Sequence, residues 1–127
     1  AAISVARRVA EERGEDVGGP ESAVGYRVRG SSAVGPRCRL LFCTTGVLLR
    51  RLAREGSAGR FSQATMTHLL VDEVHERSAE VDFLLTFMRD ARGHRPDLRV
   101  ILMSATMDTG GLSKYFAGVG GQEVPLL

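Results

Sequence analysis

The chain has 127 residues, 43% of them apolar and 25% charged, with a net charge of +2, which suits one soluble domain long enough for a real core. No apolar stretch approaches the roughly 20 residues of a membrane span, and the start lacks the basic-then-apolar layout of a secretory signal. Charge is uneven: residues 1–60 hold 11 Arg against 6 acids (+5), whereas residues 61–127 hold 6 Arg plus Lys against 9 acids (−3). Sixteen of the 17 basic residues are Arg, whose fixed fork of donors matches phosphate, so the first half suits a polyanion such as nucleic acid. A genome-wide bias toward Arg and Gly accounts for the same counts equally well.

In chain order, "AAISVARRVAEERG" places Ile3, Ala6, Val9 and Ala10 on one face, with Arg and Glu opposite, and stops at Gly14, which predicts an amphipathic helix with a glycine end. It begins inside that helix and without Met, as a piece of a longer protein would. "EDVGGPESAVG" reads as a loop, "YRVR" as a short strand, and "GSSAVGPRC" as a second loop. "RLLFCTT" reads as a buried strand, and "GVLLRRLAREG" as a short helix with Leu48, Leu49 and Leu52 inward and Arg50, Arg51 and Arg54 opposite. Cys38 and Cys43 flank that strand on opposite sides, which argues against pairing and for a reducing compartment.

A polar link, "SAGRFSQATMT", leads to "HLLV", too short for a helix and read as a strand buried on both faces. Ser78 then caps a helix with Glu80 and Asp82 in its first turn. Its stripe is Val81, Leu84, Leu85 and Met88, widened by Phe83 and Phe87, and Gly93 and Pro96 end it. "LRVILMSAT" predicts another fully buried strand, "MDTGGLSKYF" a short helix, and "QEVPLL" one strand more. Strands alternating with helices predict a mostly parallel sheet.

Two of these strands stop on polar groups: Asp72 and Glu73 after the first, Ser104 and Thr106 after the second. The carboxyl ends of parallel strands open into the crevice where ligands bind. There one carboxylate suits a hard cation such as Mg²⁺, which keeps several waters and takes phosphate oxygens. A neighbouring carboxylate suits the polarising of a water that attacks a terminal phosphate. A solvated loop is the competing reading of Asp-Glu alone; convergence with Ser104 and Thr106 on one sheet edge favours phosphate chemistry. A zinc site at His68 and His75 is disfavoured, because "HERSA" lacks the second His of HExxH.

"DEVHER", "SAT" and "CTTGVLLRRL", in these positions, resemble motifs II, III and Ib of the DEAH-box (DExH, RNA helicase A-like) superfamily 2 RNA helicases. "AAISVARRVAEERG" with "VGYRVR" resembles their motif Ia helix and the following strand, so the likeness covers residues 1–127, motifs Ia to III of the helicase ATP-binding domain. The resemblance implies an α/β fold: a RecA-like parallel sheet flanked by helices, as an incomplete lobe without its first strand and phosphate-binding loop. It implies an ATP-dependent RNA helicase, with ATP and Mg²⁺ as cofactors, that couples hydrolysis to translocation on RNA or its unwinding.

By residue, the resemblance implies a catalytic set of Asp72, Glu73 and His75, with Asp72 and Glu73 at the metal and Glu73 activating water. Ser104 and Thr106 join these two at the nucleotide and relay its state, and His75 and Arg77 lie between nucleotide and motif III. Ser4, Arg7, Arg8, Thr44, Gly46 and Arg50 fall at backbone-contacting positions for nucleic acid, contacts that hold a strand without reading its sequence. The implied partner is single-stranded RNA, with protein activators as further partners, no membrane, a monomeric state, and an intracellular location in cytoplasm or nucleus.

Val74 replaces the alanine of the DEAH name, and Thr45 stands where many relatives carry Asp. No GxxxxGK[ST] occurs in the 127 residues, although that loop normally cradles the β and γ phosphates. It is expected to precede Ala1, with a second lobe following Leu127, so the fragment alone is expected to be inactive. The alternatives are a helicase-derived nucleic-acid-binding or scaffold protein with a dead motor, and a DNA-directed helicase.

Overall fold

The computed structural model describes residues 1–57, 66–91, 95–105, 111 and 114–116. It divides into two compact units, Ala1–Arg54 and Glu55–Leu127. Among the described residues no helix is long and apolar enough to cross a membrane.

In the first unit, helix α1 (Ala2–Glu12) buries Ala6 and Ala10 against Val24 and Tyr26, with Ile3, Val9, Val17, Ala33 and Phe42 around them. The small alanines on the inner face let the helix lie close to the sheet. The Glu15 N–H donates to the Ala10 carbonyl (2.9 Å) and the Gly14 N–H to that of Glu11 (2.9 Å), so the helix ends in a Schellman motif with Gly14 at φ +69°. The Glu15 carboxylate then ties the next segment down, accepting the Ala23 N–H (2.8 Å), the Ser22 hydroxyl (3.0 Å) and Arg13 Nε–H (2.9 Å). The Arg13 hydrogen bond, more than the two others, holds its carboxyl below the usual carboxylate range, against a partial desolvation that raises it.

Strand β1 (Val24–Val28) starts earlier than the expected "YRVR" and pairs parallel with β3 (Leu40–Cys43), Tyr26 opposite Phe42. Residues expected to be loop form β2 (Ser31–Ala33), antiparallel to β1 with Val28 opposite Ser31. A two-residue turn with Gly30 at φ +78° permits this hairpin, a local event that apolar periodicity does not reveal in "GSSA". Both cysteines are free. Burial pushes the thiols of Cys38 and Cys43 up, although Arg51 and Arg27 pull Cys43 the other way. Helix α2 (Thr45–Ser57) buries Leu52, leaves Leu48 and Leu49 half-buried, and exposes Arg50, Arg51 and Arg54.

In the second unit, β4 (His68–Val71) and β5 (Arg99–Leu102) pair parallel in register, Leu69 opposite Val100 and Val71 opposite Leu102. Neither is buried on both faces as expected. Leu69 and Val71 are buried, but Leu70 is 51% exposed and Ile101 39%, so the inward side alternates with an open one. An aliphatic run reports affinity for an interior, and burial on the second side needs another layer of structure. Helix α3 (Ala79–Ala91) has the expected cap, Ser78 Oγ accepting the Val81 N–H at 3.2 Å, and buries Val81, Leu84, Leu85, Met88 and Ala91. Phe83, expected to widen that stripe, is 62% exposed, because its position falls on the far side of the turn from Leu84 and Met88. Residues 114–116 are helical, and there Phe116 is buried while the Tyr115 ring lies under the Arg89 guanidinium (4.9 Å) and its hydroxyl meets Thr86 Oγ1 (3.0 Å). Residues 58–65 of the polar link and the expected last strand "QEVPLL" lie outside the described residues.

Of the residues expected to end α3, Gly93 lies outside the described residues, and beside Pro96 there is an unforeseen anchor. The Arg95 side chain, 4% exposed, pairs bidentately with Asp97 (2.8 and 2.7 Å) and donates to the Met66 carbonyl (2.8 Å), joining the approaches to β4 and β5. Hydrogen bonding to Arg95 keeps the Asp97 carboxyl below its ordinary range.

Two stability predictions follow from these contacts. Gly14→Ala, with open space around the added methyl, should cost about 1 kcal/mol through the left-handed backbone alone, read as a lower urea midpoint. Because the folded-state value of Asp97 is depressed, its stabilisation is present above the ordinary carboxylate range and disappears as pH falls through the folded value. Asp97→Asn should therefore lower the urea midpoint at pH 7, with the difference shrinking as pH falls below the ordinary carboxylate range.

Candidate functional site at the paired strand tips

The ladder between β4 and β5 does not stop with the strands. The Met103 N–H donates to the Val71 carbonyl (2.8 Å), and the Met103 carbonyl accepts the Val74 N–H (3.2 Å). Asp72 and Glu73 therefore leave one strand tip directly beside the tip from which Ser104 leaves, within the same unit. Thr106 lies outside the described residues.

Val74 is the peg of this corner. Its side chain is buried at 6% exposure, while Asp72, Glu73, His75, Glu76 and Arg77 around it are exposed. To seat Val74 inward and keep its neighbours outward the chain must turn sharply, and Glu73 adopts left-handed backbone (φ 58°, ψ 34°). A single 3₁₀ turn, Val74–Glu76, follows and closes on Arg77, also left-handed at φ 46°. Both are unfavourable for residues with a Cβ, and such outliers persist only where the surroundings over-determine them. Here the determinants are the Val74 peg, its hydrogen bond to Met103, and the Ser78 cap that begins α3.

Within the corner, Asp72 Oδ1 accepts the Glu73 N–H (2.9 Å), which fixes the aspartate relative to the turn. His75 Nε2 stands 3.2 Å from Glu73 Oε2. This contact has no sequence signal, since residues two apart in a strand share a face without touching and in a helix point apart. Only the left-handed turn folds His75 back onto Glu73. Among the described residues no group of three or more His, Cys, Asp or Glu side chains could hold a metal by itself. The carboxylate oxygens nonetheless fit Mg²⁺, which takes hard oxygen ligands and fills its remaining positions with water and substrate phosphate.

The residues expected at nucleic acid all lie in the first unit. Ser4, Arg7 and Arg8 share the exposed side of α1, away from Ala6 and Ala10; Ser4 Oγ donates to the Ala1 carbonyl (2.8 Å) and Arg8 pairs with Glu12 (2.8 Å). That pair is exposed on both sides and so is worth little, leaving Arg8 easily diverted to a phosphate. Thr44 precedes α2 and its carbonyl receives the Val47 and Leu48 N–H groups (3.0 and 3.1 Å); Gly46 lies in the first turn and receives Arg50 Nε–H at 3.2 Å. Thr44 and Arg50 are exposed, Gly46 half-buried.

Because Arg77 sits in left-handed backbone without being glycine, Arg77→Gly should leave stability unchanged or raise it by up to about 1 kcal/mol, whereas β-branched Arg77→Val should lower it by about 1 kcal/mol or more. Equilibrium urea unfolding of the two variants checks the order.

No family model matches the chain. Similar proteins include the DExH-box ATP-dependent RNA helicases DExH1 and DExH3 of Arabidopsis thaliana, 48% and 49% identical, each over 124 residues and 98% of this chain. The ATP-dependent RNA helicase DHX29 of Mus musculus is 47% identical over 117 residues, 91% of the chain. The chain spans 12%, 10% and 8% of the lengths of these three relatives. Identity at this level over nearly all of the chain is homology, and the chain belongs with the DExH-box helicases as the counterpart of one segment of them.

Proposed function

We propose that the chain is part of the first RecA-like lobe of an ATP-dependent RNA helicase, spanning motifs Ia to III, which couples ATP hydrolysis to movement along RNA or its unwinding. The observation that carries this reading is the shared corner of β4 and β5, where one ladder sets Asp72 and Glu73 beside Ser104. The relatives' names support ATP and RNA as what the whole protein acts on.

In this reading Asp72 would hold Mg²⁺ through water, and the bound ion would neutralise charge on the phosphates. Glu73 orients the attacking water and takes its proton. Ser104, with Thr106 after it, answers to the nucleotide's state from the neighbouring strand tip. In the first unit Ser4, Arg7, Arg8, Thr44, Gly46 and Arg50 meet the phosphodiester backbone of single-stranded RNA, the kind of contact a sequence-indifferent motor requires. The protein acts inside the cell, as a monomeric motor open to protein activators.

The test is turnover by the full-length protein that carries this chain. Glu73→Gln should lower kcat for RNA-stimulated ATP hydrolysis by roughly 10²- to 10⁴-fold while ATP binding persists. Undiminished hydrolysis refutes Glu73 as the base, and a wild-type protein that binds RNA without hydrolysing ATP points instead to a scaffold with a dead motor. The purified 127-residue chain, which holds no GxxxxGK[ST], should show no appreciable turnover.

A further inference from the structure

If Glu73 is the water-activating base, as proposed above, its carboxylate has to be aimed, and the turn that carries it does not aim it. A glutamate has three side-chain torsions, and that of Glu73 is 57% exposed, so left-handed backbone at φ 58° fixes where the side chain starts and not where it ends. Asp72 cannot steer it, because Asp72 Oδ1 is engaged with the Glu73 main-chain N–H. His75 can. Its imidazole is the more enclosed partner, 29% exposed, and is carried by a turn pinned through the buried Val74 and the Val74–Met103 hydrogen bond (3.2 Å).

From this geometry we infer that His75 is the positioning residue for Glu73, its Nε2–H donating to Oε2 and holding the carboxylate in one rotamer before nucleotide arrives. The anchor runs from the β5 tip through Met103 and Val74 to His75 and then to the base, so the aim of the base is referenced to the strand that also bears Ser104. His75 itself touches no reacting atom in this assignment. It acts by restricting Glu73, which places its effect on the chemical step more than on nucleotide binding.

Steady-state ATPase measurements on the full-length protein test this with His75→Ala, His75→Gln, Glu73→Gln and the double variant Glu73→Gln/His75→Ala. His75→Ala should lower kcat roughly 10- to 100-fold with KM for ATP within about threefold of wild type. His75→Gln, whose amide N–H₂ reaches close to the Nε2 position, should recover most of that loss, which a residue needed only for packing would not allow. Adding His75→Ala to Glu73→Gln should change kcat no further, because an aim has no value without the base. The inference is overturned by a His75→Ala protein with unchanged kcat, by a parallel rise in KM, by absence of recovery in His75→Gln, or by additive losses in the double variant. Full turnover in Glu73→Gln overturns the base assignment and this inference with it, whereas its loss beside a fully active His75→Ala overturns this inference alone.

Discussion

The candidate site depends on one pair of backbone hydrogen bonds, those that carry the parallel ladder past the ends of β4 and β5: Met103 N–H to Val71 and Val74 N–H to Met103. Parallel strands in register bring their carboxyl ends out together, and these two bonds keep the chains together for the next few residues. Without them Asp72 and Ser104 would belong to separate loops. With them, two stretches some thirty residues apart in sequence share a single corner of the backbone.

That corner is built against the preferences of its own residues. Glu73 and Arg77 are both left-handed, a conformation that glycine would adopt more easily. Glycine at position 73 would bring no carboxylate, so the acid and the turn are both present only because Val74 is drawn inward and Ser78 starts a helix immediately after. The cost of two left-handed residues is of order 1–2 kcal/mol each, and it is offset locally by burial of Val74 and by the capped α3, whose Val81, Leu84, Leu85 and Met88 anchor it. The relation between strain and chemistry here is specific: the same turn that costs stability is what brings His75 to Glu73.

The first unit shows a different economy. Its residues with an expected part in nucleic-acid contact are exposed or half-buried, and three of them have local partners: Ser4 on Ala1, Arg8 on Glu12, Arg50 on Gly46. Local partners at a surface hold little energy and yield readily to a phosphate. The firm constraints lie underneath, in the small-residue face of α1 against β1 and in the Glu15 carboxylate that fastens the loop before β1.

Sequence alone determined the kinds and order of most elements, because the apolar stripe of α1, the stripe and Ser78 cap of α3, and the aliphatic runs of β3, β4 and β5 are local patterns with a single period each. It also pointed to the family, through short runs that resemble DExH-box motifs, and relatives 48% and 47% identical over 124 and 117 residues carry the DExH-box and RNA helicase names. It misjudged what depends on a second layer: Leu70, Ile101 and Phe83 are apolar yet open, and no pattern within a strand or helix records whether anything lies across from it. It was silent on β2, on the enclosed Arg95 that joins Asp97 to Met66, and on the His75–Glu73 contact. These are tertiary decisions because each is made by groups that periodicity treats as unrelated, brought together by a turn, a hairpin or a ladder whose stability comes from elsewhere in the fold.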